Sequence, residues 1–438
     1  MKTHSTKVRK SIILISTIAT CLLCSSQLPA GSPPNILVIL ADDVGREILQ
    51  CYGGSSYETP NLNQLAAIGA RFEHCYAMPV CHPTRVTFLT GQYPRHLGNP
   101  KWGSFPKHAE GQTFANVAKN AGYATAVAGK WQLCLLKNDI EQPRRMGFDE
   151  WSLFGWHEGP RYHDPMIYEN GVLRTNTGGK YGPDLYVDFL VDFMRENQRR
   201  NQSFLAYYSM ALCHDVTNDL KTPVPYGPRG RYDNYAEMVE QMDLQIGRLM
   251  RFLESSGLDD NTLILFTTDN GTAAKSKLYA KGKRNDFVYE NIISEFKGRS
   301  VPGGKGRLTD WGTRVPMLAV WKGVITPGQS WNDLVDVSDI LPTLADLLDG
   351  ALPVDAKLDG HSFADLLSGE GHSTREWAYA EHRGRFFVKT QKRKLYSTGE
   401  FYNTEADPFE KSPLDTAKLS KEATADWKLL RQAIQTIR

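Results

Sequence analysis

The chain is 438 residues long, 41% hydrophobic and 23% charged, with a formal net charge of +2. That length can bury a sizeable core, and the composition excludes a disordered or fibrous chain. The near balance of charge excludes a whole-molecule bias toward nucleic acid or a membrane surface.

Residues 1–30 read as a leader rather than as part of a fold. Lys2, Lys7, Arg9 and Lys10 precede an apolar run over 12–24, then polar residues and Ala30. A basic start, a short apolar stretch and a small-residue end are the marks of a secretory signal peptide. The run is too short for a membrane span, so no integral membrane segment is expected after cleavage. Cys21 and Cys24 raise a lipoprotein anchor, but the residues before them fit that pattern poorly. Soluble export, to the periplasm or beyond, is therefore expected. Cys51, Cys75, Cys81, Cys134 and Cys213 remain, and an odd count singles out one thiol for a special role. The other four are open between buried thiols and disulfides.

Residues 34–43 form a short, continuous apolar run ending in Asp42 and Asp43, as expected of a buried parallel strand. Residues 61–70, 113–121 and 235–255 carry helical periodicity, while 124–128 and 204–209 suit short strands. Residues 262–271 repeat the first design and end in Asp269 and Asn270. In open α/β sheets ligands sit beyond the carboxyl ends of strands, so the two acidic tips could converge. Taken singly, each acidic pair is equally explained as a turn former or helix cap. Together their oxygen-only donors favour Ca²⁺ or Mg²⁺ over zinc.

Cys81-His82-Pro83-Thr84-Arg85 brings a nucleophile and an anion-binding cation to one helix start. Pro83 suits the first helical position, which would leave Cys81 just outside the helix, facing its free N–H groups. From Lys275 to Arg307 there are nine Lys or Arg against Asp286, Glu290 and Glu295. This segment is expected to overhang the pocket and attract polyanions, unless its lysines merely aid solubility. After about residue 373 the texture changes to short strands over 385–390 and 394–398, then an amphipathic helix over 419–437.

The pattern C-x-P-x-R running into Thr90-Gly91 resembles the signature of the type I, formylglycine-dependent sulfatases of the alkaline phosphatase superfamily. Gly122-Tyr123 through Gly129-Lys130-Trp131-Gln132-Leu133 resembles that family's second signature. Residues 204–214, ending in His214, resemble the strand that delivers a histidine, and Gly304-Lys305 with Gly312-Thr313-Arg314-Val315-Pro316 resembles a further block. The resemblance implies an α/β fold: a large, mostly parallel mixed sheet sandwiched by helices over 31–372, with a small antiparallel C-terminal subdomain over 373–438. It implies that a maturase oxidises Cys81 to formylglycine, whose hydrate attacks sulfur. Asp42, Asp43, Asp269 and Asn270, with residue 81, would hold Ca²⁺ or Mg²⁺. Arg85, Lys130 and Lys305 would bind sulfuryl oxygens, and His214 would protonate the leaving alcohol. The implied substrate is a sulfated small molecule or glycan.

Two departures stand out. Gln132 occupies a position where histidine is common, and an amide cannot accept a proton near neutral pH. His82 stands where a small residue is commoner. His157, Arg161 and His163 are candidates for the pocket wall. His74, His96, His108, His361, His372 and His382 have no motif around them and read as structural. Two other readings stay open at this stage: a phosphodiesterase or phosphonate hydrolase of the same superfamily, and a non-catalytic anion-binding relative.

Overall fold

The computed structural model of the protein describes residue 1 and residues 33–155, 158–215, 232–280 and 287–437. Nearly all of the leader-like segment, together with His157, Lys281, Lys283 and Arg284, lies outside the described residues.

The first eight strands are β1 (Asn35–Ala41), β2 (Ala70–Tyr76), β3 (Ala124–Lys130), β4 (Glu150–Phe154), β5 (Tyr168–Glu169), β6 (Val172–Leu173), β7 (Phe204–Ser209) and β8 (Thr262–Thr268). Two short hairpins follow, β9 (Lys275–Ala280) with β10 (Phe287–Asn291) and β11 (Ile293–Phe296) with β12 (Arg299–Pro302). Then come β13 (Arg314–Val320) and β14 (Gln329–Asp336). The main sheet has ten strands in the order β14-β2-β13-β8-β1-β7-β3-β4-β5-β6. Its centre, β8-β1-β7-β3-β4, is parallel throughout.

The apolar run of β1 is explained by two-sided burial. Leu37, Ile39 and Ala41 enter one core, and Ile36, Val38 and Leu40 enter another. Alternate side chains of a strand point to opposite faces, so this one strand feeds both. Helices Pro60–Ile68, Gly182–Arg199 and Tyr235–Ser256 supply the first core, and Cys81–Thr90, Phe114–Asn120 and Ile340–Leu347 the second. Asn234 caps the long helix by accepting from Glu237 N–H, and Gly257 ends it in left-handed backbone at φ 72°.

The last strands, β15 (Ala378–His382), β16 (Arg385–Lys389), β17 (Arg393–Tyr396) and β18 (Phe401–Asn403), form an antiparallel sheet covered by helix Lys421–Ile437. Its core takes in Tyr76, Met78, Tyr93 and Leu334 from the main sheet and its loops. Beneath it Lys389 and Lys394, both fully buried, each lie 3.0 Å from an oxygen of Asp310.

Among the described residues the basic segment is built mostly as strands rather than as a loop. Much of it is the two hairpins, which short, weakly alternating sequences did not announce. All five cysteines outside the leader are free, which resolves the open disulfide question among them.

Candidate active site

The carboxyl ends of β8, β1, β7 and β3 lie in adjacent register, with Ala41 opposite Thr268 and Gly129 opposite Ser209. Asp42 and Asp43 continue β1, Asp269 and Asn270 continue β8, and Lys130 ends β3. A side chain at Gly129 would meet the Ser209 carbonyl at 2.1 Å, so glycine lets β3 close on β7 just before Lys130. Gly304 plays the same part for the Lys305 loop, where a Cβ would lie 2.2 Å from Trp311 backbone. The Lys305 N–H then donates to Thr272 O at 2.9 Å, which pins the loop against the end of β8.

The helix carrying Cys81 starts two residues earlier than expected. It runs Cys81–Thr90 with Val80 as its cap residue, so Cys81 is the first helical residue and Pro83 the third. The first four N–H groups of any helix lack intrahelical partners, so proline costs nothing at the third position either. Cys81 is 5% exposed. Gln132 Nε2 donates to its sulfur at 3.2 Å.

Arg85 donates through Nε and Nη2 to Asp269 Oδ2 at 3.1 and 2.8 Å, and through Nη1 to Ser209 Oγ at 2.5 Å. Lys130 Nζ reaches Asp42 Oδ2 at 2.5 Å, and Lys305 Nζ reaches Asp43 Oδ2 at 2.6 Å. Asn270 Nδ2 donates to Asp43 Oδ1 at 2.8 Å. His214 stands further off, its Nε2 4.0 Å from Asp43 Oδ2. Single ligand atoms of Asp42, Cys81 and Asp269 lie within 4.8 Å of one another. All ten residues selected from the sequence are thus gathered around these strand ends.

A family model described as Sulfatase matches residues 34–351. The chain belongs to the sulfatase family. The sulfatase is 30% identical to human arylsulfatase A over 424 residues, covering 88% of this chain and 80% of that protein. It is 31% identical to human N-acetylgalactosamine-6-sulfatase over 409 residues, covering 84% and 74%. Among solved structures, a protein in complex with its substrate D-glucosamine-2-N,6-O-disulfate shares the fold with a TM-score of 0.70, at 22% identity and coverage of 92% and 98%. Family membership makes this chain a sulfuric ester hydrolase, in a family that generally uses formylglycine and a divalent cation.

The electrostatics of the sulfatase site follow from its depth. Arg85, Lys130, Asp42 and Asp269 are essentially buried, which charged groups tolerate only when paired. Burial opposes ionisation of Asp42, but Lys130, His214, Arg85 and Lys305 outweigh it and hold the carboxyl well below its ordinary range. Burial and the charge of Asp42 push Asp269 the other way, against Arg85. Two carboxylates so placed repel each other, a cost that a cation between them removes. Asp42 Oδ1 and Asn270 Oδ1 are buried with no hydrogen-bond partner among the described residues. Oxygens orphaned in this way, beside two more carboxylates, match the ligand chemistry of Ca²⁺ or Mg²⁺.

Asp43 and Gln132 hold left-handed backbone at φ 60° and 61°, uncommon for residues with a side chain and concentrated at functional sites. Ser209 and Asp215 were not selected from the sequence. Ser209 Oγ bridges Arg85 Nη1 and Lys130 O, the latter at 2.6 Å. No spacing rule could have found it, since a serine at a strand end is ordinary. Arg161 lies beside His214, with Nη1 3.4 Å from His214 Nδ1. His163 instead pairs with Asp164 at 3.3 Å, and His82 turns its Nε2 to Ser104 O at 2.8 Å.

Proposed function

We propose that this sulfatase hydrolyses a sulfate ester on a carbohydrate, with Cys81 matured to formylglycine and one Ca²⁺ or Mg²⁺ bound at the strand tips. The observation that carries the reading is the grouping of Cys81 with Asp42 and Asp269, beside the orphaned oxygens of Asp42 and Asn270. The ion's ligands would be Asp42, Asp43, Asp269 and Asn270, with residue 81. The matured side chain would supply the nucleophilic oxygen, and the ion would supply charge neutralisation.

The chain's own residues do the rest. Arg85 and Lys130, both buried, and Lys305, 23% exposed, offer preorganised donors to sulfuryl oxygens at the partly enclosed strand tips, where such charge is worth more than in open water. The three carboxylates and these three cations cancel, so a divalent ion leaves the site net positive, as an anionic ester requires. His214 holds the proton for the leaving oxygen. Gln132 orients the group at position 81 by donating to it, in place of a base. The carbohydrate preference is supported by the cationic residues that follow Lys275, while the leader-like composition of residues 1–30 supports an exported enzyme.

The test joins two measurements on protein from the native host. Mass spectrometry of the Cys81 peptide is expected to find the aldehyde or its hydrate. Sulfate release is then measured across sulfated mono- and oligosaccharides, with aryl phosphate diesters as the contrasting class. An unmodified thiol in an active preparation overturns the mechanism, and preference for the diesters overturns the substrate.

A further inference from the structure

We propose that Asp215 is a positioning residue for His214, holding its imidazole so that Nε2 faces the bridging oxygen of the ester. The proposal rests on the reading of His214 as the acid, and adds a residue that no sequence motif singled out. Two acceptors converge on His214 Nδ1: Asp215 Oδ1 at 3.0 Å and the Asp215 carbonyl at 3.0 Å. Arg161 Nη1 also approaches this nitrogen, but at 3.4 Å, and a guanidinium can only donate. The nearer pair decides the ring's state: the Nδ1 proton is kept between two oxygens, and Nε2 is directed toward the strand tips, 4.0 Å from Asp43 Oδ2.

The carboxylate is itself held. Its second oxygen, Oδ2, is 3.3 Å from Lys277 Nζ on β9. Lys277 and His214 therefore grip opposite oxygens of one carboxylate. Asp215 is 21% exposed, His214 12% and Lys277 23%, so this pair of contacts is partly shielded rather than fully solvated. A carboxylate on the far nitrogen of a histidine fixes its orientation and tautomer in other active sites for the same physical reason.

The step it serves balances simply. As the deprotonated oxygen of the matured side chain at position 81 bonds to sulfur, the bridging S–O bond breaks and its electron pair stays on the leaving oxygen. The Nε2 proton moves to that oxygen. His214 is left neutral with its Nδ1 proton still shared with Asp215, and water returns the lost proton. Asp215 stays ionised throughout.

The experiment uses the matured full chain and a series of sulfate esters, from aryl sulfates with strongly acidic leaving groups to an alkyl sugar sulfate. Asp215→Ala is expected to lower kcat by ~10–100-fold for the alkyl ester and by less than ~3-fold for the most acidic phenol. The amide oxygen of Asp215→Asn can still accept from Nδ1, so this variant should recover part of the loss. His214→Ala should show the same leaving-group dependence, more steeply. Equal losses on every ester, or none, in a folded Asp215→Ala overturn the positioning role, as does steepening by His214→Ala alone. If His214→Ala leaves the dependence unchanged, the acid assignment itself falls and takes this proposal with it. Folding of each variant is checked by circular dichroism, and Asp215→Asn carries the test if the alanine variant does not fold.

Discussion

The backbone N–H of Asp43 donates to Asp269 Oδ1 at 3.1 Å, tying together two strand ends 226 residues apart in the chain. Because β1 and β8 are parallel neighbours in continuous register, this bond sets the spacing of both acidic pairs. It also leaves Asp269 Oδ2 to Arg85, so one carboxylate joins the tips to the helix that carries Cys81.

Removal of the divalent ion is the first consequence to measure. Exhaustive chelation should abolish sulfate release and lower Tm, and Ca²⁺ at about 100 times its Kd should return about 2.7 kcal/mol of stability. Asp269→Asn, which keeps an acceptor for the buried Arg85, should cost on the order of 100-fold or more in turnover with the fold retained. Full activity and an unchanged Tm in metal-free protein would refute the site.

Gln132 and His82 can be separated by paired variants. If Gln132 only orients the group at position 81, Gln132→His should leave turnover intact or raise it. His82 is buried against Ser104, and burial pushes it down to about 4, with the Ser104 bond opposing. His82→Ala should therefore cost about 1 kcal/mol of stability through the lost bond and less than ~3-fold in turnover. A large loss of turnover with normal aldehyde content would make His82 the base instead.

The basic segment should act through its field on charged substrates alone. Neutralising Lys281, Lys283 and Arg284 is expected to raise KM for a sulfated oligosaccharide by ~3–10-fold at low salt, with the effect shrinking as salt rises. A small aryl sulfate should be turned over as before. Equal effects on both substrates would remove the segment from specificity.

Asp310 is the buried joint beneath the C-terminal sheet. Lys389 and Lys394 depend on it, and burial already lowers Lys389 to about 7. Asp310→Ala leaves those cations facing each other without their shared anion, and should cost ~3–5 kcal/mol in urea unfolding. An effect below about 1 kcal/mol would show that Glu410, 2.6 Å from Lys394, suffices.

His74 makes stability depend on pH. Burial, aided by Arg314 and Lys389 and opposed by Asp310, lowers it from 6.5 to about 2. It is neutral when folded and free to protonate when unfolded, so its contribution is whole above about pH 6.5 and is lost as pH falls toward 2. His74→Leu should flatten the decline in unfolding free energy between pH 7 and 5. An identical slope in both proteins would show that other groups set the acid limit.

The family, the donor types and the ends of the strands were legible in the chain because each rests on local pattern. A two-sided apolar run closing on Asp42 and Asp43, its repeat closing on Asp269 and Asn270, and the pentapeptide at Cys81 need only a few adjacent residues to be read. Three-dimensional register decided the rest. It brought Ser209 between Arg85 and Lys130, turned His82 away to Ser104, and gave Asp215 to both His214 and Lys277. It also put Gln132 into left-handed backbone with its amide on Cys81. Those contacts join residues from different strands and loops, and their distances depend on how the strands align rather than on spacing along the chain. Sequence therefore determined which chemistry this protein carries, while tertiary structure decided which partner each group serves, because hydrogen bonds and buried charges are sensitive to ångström distances that no linear pattern encodes.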